Sequence, residues 1–199
     1  VHIEILKFGL DRSLIIRGSI LNMYANCGSL VEAENVFLRM PEQDTVTWTE
    51  LMFAYVRHMH GDKALRCFDQ MQMDGISPDT ITFNCSLKAC VCIQMVEDAQ
   101  QVDNCHHDAA FLNYTVQDQH SSNYDAIEKG QELHIEIVKL GFDMDTYIKN
   151  GLLDMYSKCG AFADAQKVFS KMPIPNIVSW TILISGYTYA GFVEEALGC

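Results

Sequence analysis

Two features are scarce in this chain: long apolar runs and positive charge. No apolar run approaches the roughly 18 residues that a membrane-spanning helix needs, so the sequence predicts no membrane span. Lys and Arg number 14 against 26 Asp and Glu, which gives a formal net charge of -12 at pH 7. Because phosphate contacts need cationic side chains, this balance argues against indiscriminate binding to nucleic acid.

Extended strand patterns and paired cysteines are also missing. No apolar and polar alternation of any length occurs, so we expect almost no strand. The 8 cysteines include no CxxC pair. They also recur at matching positions, Cys27 with Cys159 and Cys67 with Cys199. This favours small buried thiols in a reducing compartment over a disulfide framework.

The chain does contain an internal repeat with an offset of 132 residues. His2–Cys67 aligns with His134–Cys199 without a gap, and 26 of 66 positions are identical. Self-similarity of this kind is typical of arrays of small units that bury their apolar faces by stacking on neighbours. We therefore expect function on the shared surface of an array rather than in a single pocket.

A shorter helix-pair period lies inside this repeat, and Thr45–Asp79 shows it most clearly. Two apolar stripes at helical spacing are separated by Gly61, and Gly75 with Pro78 follows the second stripe. The first stripe comprises Trp48, Leu51, Met52 and Tyr55, and the second comprises Ala64, Leu65, Phe68 and Met71. The pattern predicts an all-α protein built from helical hairpins.

One stretch, Met95–Asp125, departs from the repeat. It contains six acids and no Lys or Arg, which accounts for half of the net charge. Joining Gln94 directly to Ala126 leaves successive units of 35, 35 and 31 residues. We interpret the stretch as an insertion, either an extruded loop or sequence that normal splicing would remove. Alternatively, residues 95–101 begin the second helix of the unit.

Units of 35, 35 and 31 residues in rotation resemble the P, L and S motifs of plant pentatricopeptide repeat proteins of the PLS subclass. The tetratricopeptide repeat, with a uniform 34-residue period, would not predict this alternation. The matching residues are Asn22–Gly28, Leu87–Cys90, Asp154–Gly160 and Val178–Thr181. We expect the chain to be a fragment, because it starts at Val1 rather than Met and stops at Cys199 within a unit.

The resemblance divides the chain into repeats. The implied units are the end of an L-type repeat at 1–13, an S-type repeat at 14–44, a P-type repeat at 45–79, an L-type repeat at 80–145 interrupted at about 95–125, an S-type repeat at 146–176 and a truncated P-type repeat at 177–199. The implied fold is an α-solenoid of helix-turn-helix repeats forming a right-handed superhelix.

The resemblance also implies a function. A solenoid of this family binds single-stranded RNA at about one base per repeat. Lys and Arg near the groove would hold phosphates, and no cofactor is implied. The protein would act in the mitochondrion or chloroplast, with RNA processing or C-to-U editing supplied by a domain or partner outside this chain. The alternative is a scaffold whose concave surface binds a peptide or a partner protein.

Specific residues follow from matching the family's motif. The implied base-reading residues, which would hydrogen-bond a base edge, are Thr49, Asp79, Asn84, Asp145, Asn150, Asn176 and Thr181. The implied base-packing residues are Val46, Ile81, Tyr147 and Val178. In the family's code, Thr49 with Asp79 favours guanine, Asn150 with Asn176 a pyrimidine, and Asn84 with Asp145 uracil. Gly18 occupies a reading position without a side chain, so the first complete unit is expected to lack specificity.

Each of these residues has a simpler interpretation. Asp79 precedes a predicted helix and could serve only as its N-cap, and the two asparagines could do the same. Trp48, Trp180, Tyr55 and Tyr187 lie at helical spacing beside Leu and Met, so we expect them in the core rather than as stacking platforms.

The enzyme signals are incomplete. A zinc-dependent deaminase needs His-x-Glu followed by Pro-Cys-x-x-Cys. His2-Ile3-Glu4 and His134-Ile135-Glu136 match only the first half. Cys105-His106-His107 resembles metal ligands but lacks the paired spacing of zinc sites. We therefore predict no catalytic residue and no metal site.

Overall fold

The computed structural model describes residues 14–103 and 125–198, most of which are helical. These residues contain ten α-helices, one 3-10 turn and no strand, so the all-α prediction is confirmed. None of the helices in these two ranges is both long and apolar enough to cross a membrane. The helices are α1 (Leu14–Asn26), α2 (Leu30–Leu38), α3 (Thr45–Arg57), α4 (Gly61–Met73), α5 (Thr80–Asp103), α6 (Ala126–Lys139), α7 (Thr146–Lys158), α8 (Phe162–Ser170), α9 (Ile177–Tyr189) and α10 (Val193–Gly198), with the 3-10 turn at Phe142–Met144.

The chain forms two compact units, Val1–Ser86 and Leu87–Cys199, and the boundary falls within α5. In the first unit, α1 with α2 and α3 with α4 form helical hairpins, and α1 also packs on α3. In the second unit, α7 with α8 and α9 with α10 form hairpins, α6 packs on α7, and α7 packs on α9. Within each unit the first helices of successive hairpins therefore lie side by side.

The predicted apolar stripes form the core of the 45–73 hairpin. All eight stripe residues are buried. The hairpin is closed by their mutual packing, and removal of this much apolar surface from water is the main stabilising contribution. Phe68 also contacts Phe83 of the next helix, with 5.5 Å between ring centroids.

Two contacts between neighbouring hairpins recur at the 132-residue offset. Phe37 and Trp48 meet edge to face with centroids 4.5 Å apart, and Phe169 and Trp180 do so at 4.6 Å. A tyrosine of the first helix also bonds back to the preceding second helix, Tyr55 to Glu34 and Tyr187 to Gln166. Trp48 and both tyrosines are buried as expected, whereas Trp180 is 39% exposed.

A left-handed residue lies between the two helices of each hairpin. Gly28, Gly160 and Gly191 occupy this position with φ between 74° and 77°. In the remaining turn, between α3 and α4, the residue is Met59, with φ of 62°. Gly61, which the sequence pattern places as the interruption, is instead the first residue of α4. The turn therefore puts a side chain where its counterparts have none.

The helix α5 extends beyond the predicted start of the insertion. It continues past Gln94 to Asp103, so residues 95–103 are helical rather than loop. The physical reason is that residues 79–129 contain no Gly or Pro to end a helix. Its predicted partner, α6, begins at Ala126, where Asp125 accepts hydrogen bonds from two backbone N–H groups. The remainder of the predicted insertion lies outside the described residues.

Two glycines mark close approaches between helices. A Cβ at Gly186 in α9 would lie 2.7 Å from the Cβ of Ser157 in α7. A Cβ at Gly130 in α6 would lie 2.5 Å from the Met155 sulfur, but that side chain is flexible. The contact between α7 and α9 is therefore the more restrictive of the two.

We expect Gly186→Ala to destabilise the protein by about 1–3 kcal/mol, because the added methyl overpacks the contact of α9 with Ser157. Gly18→Ala is the matched control, since the nearest atom to its added Cβ is 3.9 Å away. That change should stabilise by up to about 1 kcal/mol, because Ala is the better helix former. Urea unfolding followed by circular dichroism measures both, and a Gly186→Ala variant as stable as the parent would contradict the packing.

Met59→Gly should raise the free energy of unfolding by roughly 0.5–1 kcal/mol, because it removes a Cβ from a left-handed residue. Gly160→Met is the reciprocal change, and nothing lies within 4 Å of its added Cβ. It should therefore destabilise by a similar amount through backbone strain alone. The melting temperatures of the two variants should shift in opposite directions, and shifts of the same sign would contradict a left-handed residue in these turns.

Candidate functional site

The first turns of the first helices share one arrangement, an acidic or amide side chain that caps the helix. Asp44 accepts from the Thr47 N–H at 2.9 Å, and Asp79 accepts from the Thr82 N–H at 2.8 Å. Asp145 accepts from Tyr147 at 2.7 Å and Asn176 from Ser179 at 3.0 Å. Three of the predicted base-reading residues, Asp79, Asp145 and Asn176, therefore do act as N-caps.

A large apolar side chain is exposed at the second residue of each of these helices. This set is the predicted base-packing set, and its members are between 48% and 62% exposed. Apolar groups are usually buried in a helical array, so their exposure at one repeated position leaves apolar surface beside the caps within each unit. The four residues are Val46, Ile81, Tyr147 and Val178.

In the first unit, a hydroxyl joins the two members of a predicted reading pair. The Thr82 hydroxyl donates to Asp79 Oδ1 at 2.8 Å and lies 2.9 Å from the Thr49 hydroxyl. The Thr49 hydroxyl also donates to the Thr45 carbonyl at 2.7 Å. Thr49 and Asp79 are therefore brought together through Thr82, and we call these three side chains the threonine cluster.

The second unit repeats this arrangement with different residues. The Ser179 hydroxyl donates to Asn150 Oδ1 at 2.7 Å and lies 3.1 Å from Asn176 Oδ1. Asn150 and Asn176 are therefore joined through Ser179, and we call these three side chains the asparagine cluster. Thr82 and Ser179 each occupy the third residue of their helix, and both are fully buried.

The other predicted base-reading residues lie in different surroundings. Asn84 is buried in α5, whereas Asp145 is exposed and belongs to the other compact unit. Thr181 is exposed, and its hydroxyl donates to the Ile177 carbonyl at 2.7 Å. At Gly18 the open position is approached by Glu50, whose Oε2 lies 3.9 Å from an ideal Cβ.

An acidic group lies beside this open position. Burial raises the pKa of Glu50, a hydrogen bond from Asn22 opposes the shift, and the charge of Asp44 adds to it. The neighbouring basic side chains bond backbone carbonyls. Arg17 donates to the Arg39 carbonyl, and at the equivalent position the Lys149 ammonium donates to the Lys171 carbonyl at 2.8 Å.

Sequence reasoning missed the bridging hydroxyls, the carboxylate of Glu50 and the internal bonds of the basic residues. A signal for the hydroxyls was present, since Thr47, Thr82 and Ser179 recur at one position. The basic side chains carried no such signal, because an internal bond to a carbonyl leaves no pattern in the sequence. The Cys105-His106-His107 cluster lies outside the described residues, and within those residues no group of His, Cys, Asp or Glu is placed to hold a metal.

Comparison with known proteins assigns the array. A sequence model of the PPR (pentatricopeptide) repeat family matches residues 43–92, and a PPR repeat model matches residues 17–44, 147–174 and 178–199. A crystal structure of the pentatricopeptide repeat protein PPR10 in complex with an 18-nt psaJ RNA element is 19% identical, covering 98% of this chain and 35% of that one, with a TM-score of 0.43.

Curated relatives from Arabidopsis thaliana match along nearly the whole chain. A pentatricopeptide repeat-containing protein named mitochondrial is 34% identical over 99% of this chain and 26% of its own length. Another, named chloroplastic, is 28% identical over 99% of this chain and 20% of its own length. The chain thus spans about a quarter of the length of such relatives. Together with the repeat matches, these relatives show that the chain belongs to the pentatricopeptide repeat family.

Proposed function

We propose that this chain is a sequence-selective single-stranded RNA-binding module. The observation that carries the proposal is the recurrence, in both compact units, of two joined polar side chains beside an exposed apolar residue. An exposed apolar side chain can pack against the face of a base, and polar groups next to it can bond the base edge. The repetition supplies one such position in each compact unit.

Each base would be held between the second residues of two neighbouring first helices. Along the chain, Val46 precedes Thr49 and Ile81 follows Asp79. In the same way, Tyr147 precedes Asn150 and Val178 follows Asn176. Stacking of this kind tolerates any base, because every base has an aromatic face. Discrimination among bases must therefore come from Thr49 with Asp79 and from Asn150 with Asn176.

Electrostatic attraction to phosphate contributes little in this proposal. The net charge is -12, and the basic residues adjacent to the reading positions, Arg17 and Lys149, bond carbonyls within their own hairpins. Stacking and bonding to base edges would then supply most of the affinity. A small number of phosphate contacts predicts a shallow dependence of affinity on salt.

The wider role follows from the family. We propose that the repeats are P, L and S motifs with the boundaries predicted from the sequence. The chain would supply recognition alone, in an organelle, as the mitochondrial and chloroplastic names of its relatives suggest. RNA processing or C-to-U editing would be carried out by a domain or protein partner outside these residues.

Asp79→Asn should change the base preference of the module while leaving the fold intact, because Asn is an equally good N-cap. The amide adds a donor where the carboxylate only accepts, so preference for guanine at the matching position should fall roughly tenfold. Fluorescence anisotropy with single-stranded RNAs that differ at one base measures this ratio.

The control for that experiment is Asp74→Asn, the same charge change in the same unit at the end of α4, where Asp74 bonds Gln70. It should leave the base preference unaltered. Single-stranded RNA should also outcompete duplex RNA, and added salt should weaken binding only slightly, because few phosphates are contacted. Binding that ignores base identity and does not distinguish single-stranded from duplex RNA would reject RNA recognition in favour of a protein-interaction scaffold.

Glu50→Gln should both stabilise the protein and tighten its binding to RNA at pH 7. Because burial raises the pKa of Glu50, the folded chain binds a proton more readily than the unfolded chain. The destabilisation by the charged carboxylate is therefore present at neutral pH and disappears as the pH falls to the ordinary value of 4.5. The advantage of the variant should shrink over that range in thermal unfolding and anisotropy measurements.

Glu42→Gln is the matched control, since Glu42 is exposed in the same unit and the charge change is the same. It should alter neither stability nor its pH dependence by more than about 0.5 kcal/mol. Equal effects from the two variants would attribute any gain in affinity to net charge alone, not to the position of Glu50.

A further inference from the structure

We infer that Ser179 determines the base specificity of the asparagine cluster by fixing the orientation of the Asn150 amide. Ser179 is fully buried, so it positions the pair without touching a base. The inference rests on the proposed function, and it adds a residue to the base-reading pairs implied by the family's motif.

Ser179 donates a hydrogen bond to each of the two amide oxygens of the asparagine cluster. Its backbone N–H donates to Asn176 Oδ1 at 3.0 Å, and its hydroxyl donates its single proton to Asn150 Oδ1 at 2.7 Å. The hydroxyl oxygen in turn accepts a hydrogen bond from the backbone N–H of Asn176 at 3.3 Å. Because each amide oxygen faces Ser179, each amide NH2 group faces away from it, and the pair presents donors.

The threonine cluster has the opposite polarity. Two hydroxyl protons are available, and the Thr49 proton goes either to the Thr45 carbonyl or to the Thr82 oxygen. In both arrangements Thr49 has no proton left for a base, and the Asp79 carboxylate can only accept. This pair therefore presents acceptors to a base, although Thr82 places a hydroxyl at the same helix position as Ser179.

These two polarities match different bases. Guanine has adjacent donors, N1–H and N2–H2, on its Watson–Crick edge, which suits the acceptors of Thr49 and Asp79. Pyrimidines have an acceptor at O2, and cytosine has a second at N3, which suits the donors of Asn150 and Asn176. The hydroxyl matters more in the asparagine cluster, because an amide can rotate by half a turn and exchange donor for acceptor whereas a carboxylate cannot.

The first test needs no RNA. In Ser179→Ala the backbone N–H still caps through Asn176, but the Asn150 amide loses the bond that fixes its orientation. Its side-chain NH2 resonances, followed by nuclear magnetic resonance, should show increased mobility, and Ser179→Thr should restore the order of the parent. An Asn150 amide equally ordered in Ser179→Ala and the parent would overturn the inference, whether or not the chain binds RNA.

The second test measures base preference. Single-stranded 12-nucleotide RNAs selected from a random pool by the parent protein serve as probes, and the position at which Asn176→Asp alters selection identifies the base held by this pair. There Ser179→Ala should lower the ratio of pyrimidine to purine affinity roughly fivefold. Ser179→Thr should preserve the ratio, and thermal unfolding checks that both variants are folded.

Thr82→Val is the matched control, because it removes the equivalent buried hydroxyl beside a carboxylate. At the base read by Thr49 and Asp79, Thr82→Val should change the ratio of affinities for different bases less than Ser179→Ala does at the base read by the asparagine cluster. Equal loss of affinity for all bases in Ser179→Ala would indicate a purely structural role and overturn the inference. A parent protein that binds no RNA would instead refute the proposed function, and the amide mobility would still decide the role of Ser179.

Discussion

The contact on which the rest of the structure depends is the packing of one first helix against the next. In the second unit, Gly186 leaves room for Ser157, so α7 and α9 approach closely. Two contacts then fix α9 against α8: the rings of Phe169 and Trp180 meet edge to face, and Gln166 bonds Tyr187. Only with this separation can a side chain at the third residue of α9 reach 2.7 Å from a side chain at the fifth residue of α7.

The helix start is consequently where structure and proposed function share the same atoms. Asp79 and Asn176 satisfy backbone N–H groups that would otherwise lack a partner. The residues that donate those N–H groups, Thr82 and Ser179, also bond Thr49 and Asn150. The proposed recognition site is therefore pre-organised by helix capping, without any element dedicated to it. The adjacent basic residues also have a structural role, since Arg17 and Lys149 bond carbonyls inside their hairpins.

The sequence was sufficient for much of this architecture, for identifiable reasons. Helical spacing predicted the buried stripes such as Trp48 to Tyr55, because apolar burial follows the helical period. The continuation of α5 past Gln94 was not predicted, since an interrupted repeat masks the absence of helix-ending residues. The turn at Met59 was missed because a left-handed methionine leaves no signal of its own. The bridging hydroxyls depend on the distance between two helices, which no periodicity encodes.

In the proposed mode of binding, the last residue of a repeat both caps the next helix and reads a base, which limits how such a protein can change. A residue at the position of Asp79 or Asn176 must accept from the next helix's backbone, and Asp, Asn, Ser and Thr do this well. A substitution that introduced a long basic or apolar side chain there would destabilise a helix before it altered any contact with a base. The residues tolerated at this position are thus limited to those that cap a helix well. New base specificities would have to come from a few short polar side chains.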